Sequence, residues 1–368
     1  MCKLFLVRFQ VSIQMNLRHM ITLYLLLGTR PPSNITSGLD PTDPMVIKSW
    51  MGLIPDCWRL SALSLPGTHN SLTYDKSSFC TSIFGQRCCR CQNTYVKDQL
   101  LAGIRVFDIR PALWGGAITL WHGDINLNVG LGYVLDVFKS FLRDHDEETI
   151  ILLFNCYWED SDDGSCGKKF VDEFLRVLSK VGNGKIYPAQ GQNKETVYVP
   201  TIGEVRGKIV LFNRDDRSTQ DRIPSLNANR RYQDIWKFDY SYDEYYNQLL
   251  SNIKSTKDAI YNQGGARCAD PETFHLTWLN ANNCALPGNG PGYISSYVNP
   301  WIANQLRCLM RTHPDPEQRY ERWQPSGIIM MDYPDHEIIA QIVIDNFWAY
   351  YSAIHHHKNA DCKSTMLK

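Results

Sequence analysis

Two histidines sit where proton transfer could be done: His69 in Ser64-Leu-Pro-Gly-Thr-His-Asn-Ser71, and His122 in Leu120-Trp-His-Gly123. Imidazole is the side chain whose ordinary pKa lets it take or give a proton near neutrality. Between them runs Ile104-Arg-Val-Phe-Asp-Ile-Arg110, an apolar stretch that reads as a strand. In a strand, residues two apart share a face, so Asp108 and Arg110 point one way while Arg105, Phe107 and Ile109 point the other. A base on one side of a phosphate, an acid on the other and a guanidinium for the charge between them form a coherent catalytic set. Taken alone, Asp108 and Arg110 could also be an internal ion pair, and Asp332 after Ile328–Met331 could be a helix N-cap.

The elements that must hold these groups are legible as alternating patterns. Strand-like runs are Leu60–Leu65, Ile104–Ile109, Thr149–Asn155, Gly207–Asn213, Thr273–Leu279 and Gly327–Met331. Several are continuously apolar, as suits strands covered on both faces. Helical stripes intervene, with Val134, Leu135, Phe138 and Leu142 within Tyr133–Leu142, and Val171, Phe174, Leu175 and Leu178 within Lys168–Lys180. The alternation predicts a single α/β domain. His69, Asp108, Arg110, Arg214 and Asp332 all fall at the C-terminal ends of strands, where (β/α) barrels build their active sites. No glycine-rich GxGxxG turn offers a dinucleotide site on an open sheet.

The chain has 368 residues, 43% hydrophobic and 21% charged, enough for a sizeable core. Lys+Arg and Asp+Glu both total 38, so the balance gives no reason to expect a nucleic-acid partner. Twelve cysteines include the cluster Cys80, Cys88, Cys89 and Cys91, whose spacing lacks the paired CxxC of a zinc site. A disulfide-stabilised loop is the preferred reading, with connectivity open. Met15–Gly28 has a basic start and a short apolar core like a signal peptide, and Asn34-Ile-Thr36 is a glycosylation sequon. These features predict a secreted or extracytoplasmic protein. The expected organisation is an N-terminal extension over residues 1–44, a catalytic barrel over 45–345 and a tail over 346–368. The histidines 355–357 read as part of that polar tail.

Several ordered motifs resemble the X domain of phosphatidylinositol-specific phospholipase C, in its compact, metal-independent bacterial form. They are Leu65-Pro-Gly-Thr-His-Asn-Ser71, Ile104–Arg110, Trp121-His-Gly123, Gly207–Leu211 with Arg214, Gln233-Asp234 with Trp236, Tyr297-Val-Asn-Pro300 with Ile302-Ala-Asn304, and Met331-Asp-Tyr333. The resemblance implies a distorted (β/α) TIM-like barrel that acts on phosphatidylinositol or a related lipid at a membrane surface, as a monomer and without cofactor or metal. It implies that His69 is the general base, oriented by Asp332, and His122 the general acid. Arg110, clustered with Asp108, would hold a phosphate oxygen. Asn70, Arg214, Asp234 and Trp236 would face the headgroup, Trp236 standing where the bacterial family stacks a tyrosine.

Two departures qualify the pattern. Asn70 stands where the bacterial enzymes carry an aspartate supporting the general acid, so His122 is expected to lose that charge. Asparagine here is also what the calcium-dependent branch uses as a ligand, although Arg110 would repel such an ion. The segment Asn155-Cys-Tyr-Trp-Glu159 lacks the family's headgroup lysine. Alternatives are therefore a calcium-dependent or different-headgroup phosphodiesterase, and a catalytically silent domain that binds lipid or glycan.

Overall fold

The computed structural model describes residues 44–74, 89–156, 167–182, 184–188, 198–214, 223–226, 229–233, 241–262, 273–280, 290–311 and 325–347. The N-terminal leader-like segment, the sequon, the tail beyond Phe347, Asp234 and Trp236 lie outside them, while Asn346 and Phe347, expected in the tail, are buried.

Seven strands form one parallel sheet: β1 (Leu65–Thr68), β2 (Val106–Ile109), β6 (Ile150–Phe154), β7 (Ile209–Asn213), β8 (Asn229–Gln233), β9 (Thr273–Trp278) and β10 (Ile328–Met331). Their spatial order is β7-β6-β2-β1-β10-β9-β8. The first strand in sequence thus lies in the middle, hydrogen-bonded to β2 on one side and to β10 on the other. β6, β7, β9 and β10 are buried along their whole length, which explains their unbroken apolar sequences. Gly67 is needed for space. A Cβ there would collide with Met330 Sδ and come within 3.0 Å of Val106 Cβ, across both flanking strands.

A second sheet is an antiparallel meander of β3 (Pro111–Trp114), β4 (Ala117–His122) and β5 (Ile125–Gly130). It starts immediately after Arg110, and its first turn is Gly115-Gly116, both at positive φ, the backbone a two-residue hairpin demands. The meander returns the chain so that β4 ends on His122.

Helices cover the outside. α1 (Pro44–Ile47), α2 (Val96–Leu101), α3 (Leu131–Asp144), α4 (Lys168–Ser179), α5 (Ile202–Val205), α6 (Tyr242–Asn262), α7 (Pro291–Arg311) and α8 (His336–Ile344) complete the order. α3 buries the stripe read from sequence, and α4 buries Val171, Phe174 and Leu178 of its stripe while Leu175 is only partly covered; Phe107 meets Phe138 with ring centroids 4.9 Å apart. Tyr245 and Tyr246 of α6 belong to the core.

One strand boundary needs correction. Leu60–Ala62 is a 3-10 turn, and the strand begins only at Leu65. Its apolar residues are buried because the turn packs into the core, so burial alone made the run resemble a strand.

Below the sheet, Arg105 and Glu148 form a fully buried ion pair at 2.7 Å just before β2 and β6. Arg105 also donates to the carbonyls of Leu100, Ile104 and Lys48, and Glu148 accepts from the Gly52 N–H.

Candidate active site

His69 follows β1, Asp332 follows β10, and Asp108 and Arg110 close β2, so three adjacent strands deliver four polar side chains to one rim. His69 Nδ1 lies 2.8 Å from Asp332 Oδ1, and both side chains are buried. The Asp332 carboxylate accepts the Nδ1–H, leaving Nε2 with its lone pair outward. Asn70 Nδ2 donates to that Nε2 at 2.8 Å, and Arg110 Nη2 stands 3.3 Å from it. The cap of α8 is Asp335, whose side chain accepts from the Ile338 N–H. Asp332 is therefore not its N-cap.

The backbone is bent to make this possible. Asn70 and Tyr333, the residues after His69 and Asp332, adopt left-handed φ of 43° and 44°. Asparagine tolerates that region, but a tyrosine there must be held by its surroundings. Asn299 does part of the holding: its Nδ2 donates to the carbonyls of Asp332 and Tyr333 at 2.9 and 3.2 Å. The turn after β1 is pinned by Gln92, which donates to the carbonyls of His69 and Met331, and by Gln99, which donates to that of Ser71.

Asp108 is fully buried, and one oxygen accepts the Asn70 N–H at 3.0 Å. Burial would raise its pKa, but the positive charges of Arg110 and Arg214, with His69 and the backbone N–H, more than offset this and hold it below the usual range. It is thus a fixed anion that draws both guanidinium groups toward the same rim. Arg214, directly after β7, lays its guanidinium 4.4 Å from the ring centroid of Trp278 at the end of β9. Trp278 in turn meets His69 edge-on at 5.6 Å.

His122 reaches the rim from the other sheet. Its ring centroid is 6.4 Å from that of His69, and its Nδ1–H donates to the Cys89 carbonyl at 2.9 Å. Burial first, then the positive charges of His69 and Arg110, lower its pKa to about 4. Asn70 turns its amide to His69 Nε2 and the Cys91 thiol, and a backbone carbonyl holds His122. Cys89 and Cys156 each belong to a disulfide.

The structure therefore brings His69, Asn70, Asp108, Arg110, His122, Arg214 and Asp332 to one end of the parallel sheet. Cys91, read from the sequence as part of a disulfide-stabilised loop, is instead a free buried thiol. Sequence reasoning missed Gln92, Gln99 and Trp278. The glutamines carried no signal, because their partners are backbone groups set by the tertiary path. Asn299 lay within Tyr297-Val-Asn-Pro300 but received no role.

A parallel α/β barrel-type sheet with its polar cluster at the strand C-termini is the architecture of a (β/α)-barrel catalytic domain. Residues 63–215 match the family model of the phosphatidylinositol-specific phospholipase C X domain. It is 25% identical over 303 residues to a 1-phosphatidylinositol phosphodiesterase of Listeria monocytogenes, covering 81% of this chain and 85% of that protein. A second relative of that name, from Staphylococcus aureus, is 26% identical over 335 residues, covering 81% and 94%. A human PI-PLC X domain-containing protein 2 is 29% identical over 213 residues, covering 51% and 66%. The solved phosphatidylinositol-specific phospholipase C from Listeria monocytogenes shares the fold, with TM-score 0.64 at 23% identity over 82% of this chain and 98% of that one.

Proposed function

We propose that the protein cleaves phosphatidylinositol-type lipids at a membrane surface, giving diacylglycerol and inositol 1,2-cyclic phosphate. The observation that carries this reading is the His69–Asp332 pair, which leaves Nε2 as a proton acceptor beside Arg110, with His122 across the same rim. The inositol 2-hydroxyl would take the place of the Asn70 amide on Nε2 and give up its proton there. Its oxygen then bonds to phosphorus while the bond from phosphorus to the diacylglycerol oxygen breaks. His122, protonated at Nε2, supplies the proton that the departing oxygen needs. Arg110 answers the charge on the non-bridging oxygens with a fork of N–H donors. Asp108 keeps Arg110 and Arg214 turned to the rim, and Arg214, Asp234 and Trp236 are assigned to the headgroup.

No metal is needed in this scheme, because the guanidinium occupies the role a cation would take. The reading also includes a secreted location, a monomer and attachment to membranes from one side. No helix among the described residues is long and apolar enough to cross a bilayer. The organisation that goes with this reading is a catalytic barrel over 45–345, flanked by the segments before and after it.

The test is a product assay on phosphatidylinositol vesicles with and without a chelator. Cyclic inositol phosphate should form equally in both. His69→Ala and His122→Ala should each lose about 100- to 10,000-fold in rate. Absence of product, or near-normal turnover by His69→Ala, would overturn the reading; loss of activity in chelator would overturn its metal independence.

A further inference from the structure

Beside the base lies a group the mechanism does not use, the buried thiol of Cys91. One donor atom from each of His69, Cys91 and Asp332 falls within 4.8 Å of the other two. We propose that these residues form a binding site for one borderline-soft divalent cation, zinc foremost, and that its occupancy silences the general base. The inhibitory part rests on the lipid-cleaving reading; the site itself does not.

Zinc takes imidazole nitrogen, thiolate sulfur and carboxylate oxygen at about 2.0–2.3 Å, and three protein ligands leave a fourth position for solvent. The donors need only close on a common centre. The thiolate makes the set a poor one for calcium or magnesium, which prefer oxygen throughout. Cys91 is fixed from both sides of its backbone: its N–H donates to Thr73 Oγ1 at 3.0 Å, and its carbonyl accepts the Tyr333 N–H at 2.9 Å. Asp332 is clamped through its carbonyl by Asn299. Such support around ligands commonly changes metal affinity by about 10- to 100-fold.

Charge and protons balance. Asp332 and a Cys91 thiolate bring two negative charges to a dication, and Arg110 stands on the opposite, Nε2, side of the imidazole. When the metal takes Nδ1, the proton of that nitrogen moves to Nε2 and the thiol proton leaves to solvent. His69 stays neutral but has no lone pair facing the substrate, so it cannot accept the hydroxyl proton.

Cobalt(II) titration of the intact protein, followed by near-ultraviolet absorbance, tests the site. One equivalent should give a thiolate-to-cobalt charge-transfer band that zinc displaces. Cys91→Ser should abolish the band and weaken zinc inhibition of lipid cleavage by about tenfold or more, whereas Cys57→Ser, at an exposed thiol, should keep both. Asp332→Asn, which retains the thiol, should shift the band and weaken binding, guarding against misfolding of the first variant. A band that survives Cys91→Ser, or no band in the parent protein, overturns the proposal. A band without any lipid cleavage leaves the metal site standing and removes the lipid reading; cleavage without a band does the reverse.

Discussion

In the proposed mechanism His122 serves as the acid, yet its surroundings hold it near pKa 4 and an acid must carry a proton. An anionic phosphate against Arg110 would cancel part of the positive field that depresses it, so substrate itself would help to charge the acid. The depression also has a consequence for stability. The folded state resists protonation that the unfolded chain accepts near pH 6.5, so between about pH 6.5 and 4 the unfolded state binds more protons. The contribution of His122 is then fully present above pH 6.5 and is lost as pH falls toward 4. It is of the order of 2 kcal/mol after allowing for partial exposure. Urea unfolding of His122→Asn should show a smaller loss of stability than the parent on going from pH 7.5 to 4.5. An equal loss in both would mean that the site does not oppose the charged imidazole.

Among the elements, β2 and β6 are tied by Arg105 and Glu148, which lie just before the two strands, at the end opposite the polar rim. Removing one partner of a buried pair strands the other charge, at a cost of about 3–5 kcal/mol. Glu148→Ala should therefore lower the unfolding free energy by that amount, while turnover per folded molecule stays within about twofold; a change under 1 kcal/mol would show that the carbonyls around Arg105 suffice. The strands carrying the site could be read from sequence because Ile150–Phe154 and Ile328–Met331 must be apolar on both faces. β8 could not, for Asn-Arg-Arg-Tyr-Gln has no apolar run and its place is set by backbone pairing to β9. The meander of β3 to β5 was also missed, although Gly115-Gly116 was its available signal. The roles of His69 and Asp332 were suggested by motif and strand-end position, whereas the turn of Asn70 toward His69 depends on a left-handed backbone that no pattern announces.

For the whole molecule, the decisive fact is the placing of β1 between β2 and β10. β1–β2 is a nearby pairing, but β1–β10 joins the two ends of the described chain, and contacts so distant in sequence form slowly. On refolding from urea, far-ultraviolet dichroism should recover before lipid cleavage does, with activity following the slowest tertiary phase. Coincident recovery by both probes would indicate that the ends meet as early as the local elements. The same arrangement bears on synthesis. The imidazole and its carboxylate partner are 263 positions apart, so a ribosome must deliver nearly the whole barrel before the base can be assembled. A lipid-cleaving enzyme built this way carries its own timer: the growing chain stays inert until β10, the last strand of the described residues, slides in beside β1.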